Sequence, residues 1–187
     1  MRVGLISYYF PPESNAPTAR IMPFIEEWAE EDVVEVFTHA TAERAGHPTT
    51  EEENVLVYRT PFSTVDNTYS LPVRFLSELL FCLSVIGSAL RSRVDVFFCT
   101  SPPFLVAVTT LLLSKITTVP YVIDVRDLYP EQLFAYNVVS RSSTFGQVLQ
   151  WLERQVYDHA RLVVGVTEGV CNHIEERTST DVTLIRN

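Results

Sequence analysis

Val119-Pro120-Tyr121-Val122-Ile123-Asp124-Val125-Arg126-Asp127-Leu128-Tyr129-Pro130-Glu131 is the stretch that decides the fold. A short β-branched and aromatic run ends abruptly in four charged groups: Asp124, Arg126, Asp127 and Glu131. A strand buried on both faces of a parallel sheet has this apolar body. Its carboxyl end opens onto a crevice, which is where ligands bind in open α/β sheets.

Working outward, six further apolar runs read as strands: Arg2–Ser7, Val33–Thr38, Val55–Arg59, Val94–Cys99, Leu162–Val166 and Val182–Ile185. Helix-length segments separate most of them. Thr18–Glu30 puts Ile21, Phe24, Ile25 and Trp28 at helical spacing, with Glu26, Glu27 and Glu30 largely on the other side. Pro72–Arg91, Phe104–Thr117, Thr144–His159 and Glu168–Arg177 read the same way. Such alternation predicts βαβ units with right-handed crossovers, hence an α/β fold. The expected form is a Rossmann-like, doubly wound parallel sheet of about seven strands flanked by helices. Ala40–Asn54, with Gly46, Pro48 and Glu51-Glu52-Glu53, reads as a loop whose acidic run is a solvated turn.

The chain has 187 residues, 47% hydrophobic and 20% charged, which fits one domain with a sizeable core. Its net charge of −9 argues against a nucleic-acid partner, which would call for a clustered basic face. Cys82, Cys99 and Cys171 are widely spaced, with no CxxC pair or histidine cluster. They read as buried reduced thiols and suggest a cytoplasmic protein. Val96–Ser114 is an uncharged stretch of membrane-spanning length, but Thr100-Ser101-Pro102-Pro103 divides it into a strand and a short helix. Leu79–Leu90 carries no charge. A helix buried between sheet and neighbours explains that; an apolar face resting on a membrane or lipid-linked substrate is the functional alternative.

If the sheet is parallel, its carboxyl ends share one rim. The first strand delivers Tyr8-Tyr9-Phe10-Pro11-Pro12-Glu13-Ser14-Asn15-Ala16-Pro17, and the fourth Thr100-Ser101-Pro102-Pro103. The fifth delivers Asp124, Arg126, Asp127 and Glu131; the sixth, Thr167-Glu168-Gly169. Each has a purely structural reading too. Ser101 is a candidate helix cap with Pro102 in the first turn, and Thr167 another cap. Glu168 suits the positive end of a helix dipole, and Arg126 could pair with Asp124 or Glu131. Together, four polar ends on one rim point to a ligand crevice, with helix N-termini able to hold phosphate. His39 ends the second strand and could face the crevice, although a loop histidine without a partner is the simpler reading. GxGxxG, the Walker lysine motif and GxSxG are all missing from the sequence.

At these residues the chain resembles the amino-terminal domain of a family 4 glycosyltransferase of GT-B architecture. Tyr8–Glu13 followed by Ala16-Pro17-Thr18-Ala19-Arg20 is similar to that family's first loop. Thr100–Pro103, Asp124–Glu131 and Val163–Gly169 match in order and spacing, and Ile185-Arg186-Asn187 resembles the start of a hinge. The greatest similarity is to bacterial and archaeal enzymes that build surface polysaccharides. Ser14-Asn15-Ala16 stands where many members carry adjacent glycines.

The resemblance implies that residues 1–187 are a single acceptor-side domain, with a separate carboxyl-terminal domain binding most of the nucleotide-sugar. It implies a retaining, hexosyltransferase-type transfer to a glycan or polyprenyl-linked acceptor, with no cofactor and no essential metal. Peripheral contact with the inner face of the cell membrane is a further expectation. By carry-over, Glu13, Ser14, Asn15 and Ala16 lie near the donor phosphates and sugar, and Arg20 is a further substrate-binding candidate. Asp124, Arg126, Asp127 and Glu131 shape the acceptor side, Asp127 orienting the acceptor hydroxyl. Ser101, Thr167 and Glu168 complete the rim. The isolated chain is expected to be inactive or nearly so. Competing readings are a split subunit with a donor-binding partner, a noncatalytic binding module and a nucleotide-sugar epimerase of the same architecture.

Overall fold

A computed structural model describes residues 1–40, 49–52, 54–63 and 70–186. Eight strands form one sheet: β1 (Arg2–Ile6), β2 (Val33–Ala40), β3 (Thr49–Glu52), β4 (Val55–Ser63), β5 (Val96–Ser101), β6 (Tyr121–Val125), β7 (Leu162–Gly165) and β8 (Val182–Leu184). Their spatial order is β3-β4-β2-β1-β5-β6-β7-β8. Every pairing is parallel except β3 with β4. The chain thus winds outward from β1 through β2 to β4, then returns to β5 on the other side of β1. That reversal is the topological switch point at which α/β sheets open a crevice.

Alternate side chains of each strand enter two different cores. Ile6, Phe97, Cys99, Tyr121, Ile123 and Val163 face one side. They pack against helices α2 (Leu71–Ala89), α3 (Phe104–Thr117), α5 (Thr144–Asp158) and α6 (Glu168–Glu175). Val3, Leu5, Val34, Val36, Val57 and Phe98 face the other side, under Ile21 and Ile25 of α1 (Ala16–Ala29). Burial on both faces explains why these strands read as continuous apolar runs. Each fully buried large side chain contributes about 1.5–3 kcal/mol. A five-residue helix, α4 (Glu131–Ala135), follows the loop after β6.

All seven expected strands and five expected helices are present. The reading of Ala40–Asn54 as loop needs correction, because Thr49–Glu52 forms the antiparallel edge strand β3. Glu51 and Glu52 therefore lie on a strand and not in a turn. Residues 41–48 and Glu53 are outside the described residues. The uncharged stretch from Val96 divides into β5 and α3 as expected. Helix α2 is long and apolar enough to cross a membrane, yet Phe81, Cys82, Val85 and Ala89 pack one side of it into the core.

Candidate functional site

The carboxyl ends of β1, β5, β6 and β7 converge on one rim. Ser101 lies opposite Val125 in the β5–β6 register, and the Arg126 amide donates to the Ser101 carbonyl at 2.9 Å. The two loops therefore leave the sheet side by side. Beyond them a crevice of about 610 Å³ is lined by Arg126, Asp127, Leu128, Glu131, Gln132 and Arg141, among others.

Within this crevice Asp127 is exposed and Arg126 half-buried. The Arg126 Nε is buried and meets no hydrogen-bond acceptor among the described residues. Its expected partners are taken: Asp124 is paired with Arg20, and Glu131 with Arg141 and Arg177. A guanidinium donor and a carboxylate acceptor, adjacent in sequence, thus both border the cavity. That combination can bind a polyhydroxylated ligand, one group donating and the other accepting.

Arg20 and Asp124 are engaged with each other and not with the open crevice. Arg20 Nη2 donates to Asp124 Oδ1 at 2.6 Å and Nε to Oδ2 at 2.8 Å, both side chains almost fully buried. Nη2 also donates to the Ile185 carbonyl at 2.9 Å. One guanidinium therefore fastens α1, β6 and the segment after β8 beneath the rim.

The first loop is held by a network that a sequence reading misses. His39 lies within β2, buried, and not in a loop. Its Nε2 is 3.1 Å from Glu13 Oε1, and its Nδ1 bonds the Tyr8 carbonyl. The expectation of a partnerless loop histidine is thus corrected: β2 continues two residues past Thr38. Arg59 Nη2 donates to the Pro11 carbonyl at 2.8 Å from β4. Asn15 caps α1 by accepting from the Thr18 amide at 3.0 Å, and its Nδ2 reaches Glu13 at 3.3 Å. Ser14 and Ala16 are exposed beside it. With no glycine in Ser14-Asn15-Ala16, a polar side chain closes the helix end that a bare backbone would leave open.

Ser101 does not cap α3. The capping position is Pro103, whose side chain makes no bond, and Ser101 is buried at the end of β5. Among the described residues no side chain caps the first turn of α3, and the Val106 amide turns back to the Pro103 carbonyl at 3.1 Å. Thr167 does cap α6, accepting from the Val170 amide at 3.2 Å. Glu168, in that first turn, pairs with Arg186 at 2.7 Å on the surface.

Two aromatics also border this region. Tyr9 is half-buried, and burial followed by the Glu78 charge pushes its hydroxyl up, while Arg74 and Arg126 pull it down. Tyr129 stacks on Phe104 with ring centroids 5.1 Å apart, and burial pushes its hydroxyl up as well.

Behind Glu131 lies a second unforeseen group. Glu153 of α5 is buried beside Arg177 (3.8 Å), His173 (3.9 Å) and the Tyr157 hydroxyl (3.4 Å). Burial pushes its carboxyl up to about 7. Burial, then Arg177, lowers His173. Glu131, Glu153 and His173 offer ligand atoms within 4.8 Å of one another. Guanidiniums already face these carboxylates, so a cation there would have to displace Arg141 or Arg177.

Arg141 is held in place by a tight backbone approach. A methyl group on Gly146 would stand 2.2 Å from the Ser140 carbonyl oxygen and 3.2 Å from Arg141 Cα. Backbone must move to admit it. Gly146→Ala is expected to cost about 2 kcal/mol, the usual range for overpacking. Thermal unfolding should show a midpoint lower by roughly 4–8 °C at this chain size. An unchanged midpoint would mean the 140–141 turn yields freely.

Comparisons with known proteins complete the site's description. Residues 15–187 match the family described as Glycosyl transferase 4-like domain. No curated protein matches the sequence. Sucrose-phosphate synthase from Thermosynechococcus elongatus superposes with a TM-score of 0.70 at 12% identity, covering 99% of this chain and 47% of that one. For α,α-trehalose 6-phosphate synthase from Burkholderia multivorans the TM-score is 0.58 at 10% identity, covering 99% and 48%. For Anabaena HepE, solved in complex with UDP, it is 0.56 at 14% identity, covering 100% and 44%. At these identities the likeness is one of fold. The chain spans about half the length of these three structures.

Proposed function

Because this chain belongs to the glycosyl transferase 4-like domain family, we propose that it is the acceptor-binding half of a two-domain retaining glycosyltransferase. A sugar passes from a nucleotide-sugar to a glycan or lipid-linked acceptor, and a donor-binding domain closes the cleft. The observation that carries this reading is the Arg126–Asp127 pair on the crevice: a guanidinium whose Nε meets no acceptor among the described residues, beside an exposed carboxylate. Asp127 accepts from and orients the attacking hydroxyl; Arg126 donates to a neighbouring acceptor oxygen. The glycosidic bond to the diphosphate breaks as the bond to that hydroxyl oxygen forms on the same face. The hydroxyl proton leaves with the diphosphate. The positive end of the α3 dipole, at the rim, favours the negative charge that develops on the leaving group. Most donor-binding residues belong to the other half, so residues 1–187 alone are expected to bind acceptor and turn over little.

The test is release of nucleoside diphosphate from a panel of nucleotide-sugars, measured in the full-length two-domain protein and in residues 1–187. Arg126→Ala is expected to raise the acceptor KM about tenfold, the loss of one charge-assisted hydrogen bond. Asp127→Asn should lower kcat by a similar factor with the fold intact by circular dichroism. Unchanged kinetics in both variants would sink the assignment.

A further inference from the structure

A second cavity adjoins the crevice. It measures about 350 Å³ and is lined by Phe134, Asn137, Val139, Ser140 and Arg141. Phe134 and Arg141 line the crevice as well, so this pair of side chains is a wall common to both spaces. Each volume lies within the range that holds a small ligand. The common wall is fixed in place. Arg141 Nη1 donates to Glu131 Oε1 at 2.9 Å and Nη2 donates to Oε2, so the pairing is bidentate. The guanidinium carbon lies 4.7 Å from the centre of the buried Phe134 ring. From α5, Gln150 Nε2 donates to the Arg141 carbonyl at 3.2 Å. An exposed arginine ordinarily gives up rotamer freedom when a ligand arrives. This one is already held, which lowers the cost of binding beside it. The turn that carries Asn137 and Ser140 is held too. The Val138 amide donates to the Leu133 carbonyl at 2.9 Å, and the Ser143 amide to the Ser140 carbonyl at 3.1 Å. Asn137 takes a φ of 54°, a left-handed conformation that asparagine tolerates.

Charge and polarity select the occupant. Among the described residues Arg141 is the only ionisable group lining the second cavity, and Glu131 already neutralises it. A phosphate or carboxylate placed there would find no cation of its own. Asn137 and Ser140 are exposed and supply neutral donors and acceptors, while Val139 supplies apolar surface. A sugar ring, with hydroxyls around its edge and C–H groups on its faces, matches that set.

We propose that the second cavity holds the penultimate sugar of a neutral glycan acceptor whose terminal sugar lies in the crevice at Arg126 and Asp127. This rests on the acceptor-binding reading and narrows it: the acceptor is a neutral chain of two or more sugars, and not a single sugar on a phosphate. Arg141 and Phe134, common to both cavities, then lie where the two sugars join.

The test is binding of the 187-residue chain to an array of neutral monosaccharides, their 1-phosphates, and neutral and uronic-acid disaccharides, with calorimetry on those retained. A neutral disaccharide is expected to bind about tenfold more tightly than its terminal monosaccharide, the gain of one or two neutral hydrogen bonds. Asn137→Asp suits the same left-handed backbone and sets a negative charge in the second cavity. It should bring the ratio of the two affinities close to one. Ser140→Trp, which puts a bulky ring in that space, should do the same. Both positions are exposed, so circular dichroism should be unchanged. Equal affinity for disaccharide and monosaccharide, or an undiminished ratio in both variants, would overturn the proposal and leave the acceptor reading standing. So would a sugar 1-phosphate or a uronic-acid disaccharide bound as tightly as the neutral disaccharide, since the second cavity would then take an anion. Retention of no sugar at all would remove the acceptor reading, and this proposal with it.

Discussion

Arg20→Met is expected to destabilise the chain by about 3–5 kcal/mol, the range for removing one partner of a buried ion pair. Asp124 has no exposed surface and takes three bonds from Arg20, a side chain only 4% exposed. Once the guanidinium is gone, a carboxylate is stranded between α1 and β6. The Ile185 carbonyl loses its donor as well. Because the larger part of the cost is the stranded charge, Arg20→Met combined with Asp124→Leu should recover much of it. Urea unfolding with an unchanged m-value is the measurement. A single variant within about 1 kcal/mol of the parent would show that water reaches Asp124.

The second large effect concerns pH. The Glu153 carboxyl is held up at about 7 against an ordinary value of 4.5, first by burial. Between those values the folded chain binds more protons at this site than the unfolded chain. Stability contributed by the protonated group is therefore fully present below about 4.5 and is lost as pH rises through about 7. A shift of this size amounts to roughly 3 kcal/mol. Glu153→Gln keeps the shape without the ionisation. The variant should match the parent near pH 4 and exceed it by up to about 3 kcal/mol near pH 8. Parallel stability–pH curves for the two proteins would show that Arg177, 3.8 Å away, already compensates the charge.

What the sequence revealed and what it hid divide along physical lines. The central strands were legible because burial on both faces writes itself as uninterrupted apolar runs. Strand β3 was not, because Thr49-Thr50-Glu51-Glu52 pairs on one side only and needs no apolar pattern. Helix α4 is too short to show a period. At the rim, the residue types were read correctly and their pairings were not. Arg20 and Asp124 are 104 positions apart, and both were placed at the crevice without being placed on each other. His39 looked idle because its partner, Glu13, comes from another strand's loop. Ser101-Pro102 had the look of a cap, yet the helix begins later, at Phe104. Glu153 resembled an ordinary polar residue of an amphipathic helix. Only the packing of α6 over α5 turns it inward, and local spacing does not carry that information.

The buried cysteines have a chemical consequence of their own. Burial pushes the Cys82 thiol up to about 11 and the Cys99 thiol to about 12, and it raises Cys171 as well. The thiolate is the form that oxidants and electrophiles attack. At neutral pH about one Cys82 in ten thousand is ionised, and about one Cys99 in a hundred thousand. Both are shielded further by the core around them. Cys99 of β5 and Cys82 of α2 are thereby poor targets for oxidants and electrophiles while the fold is intact.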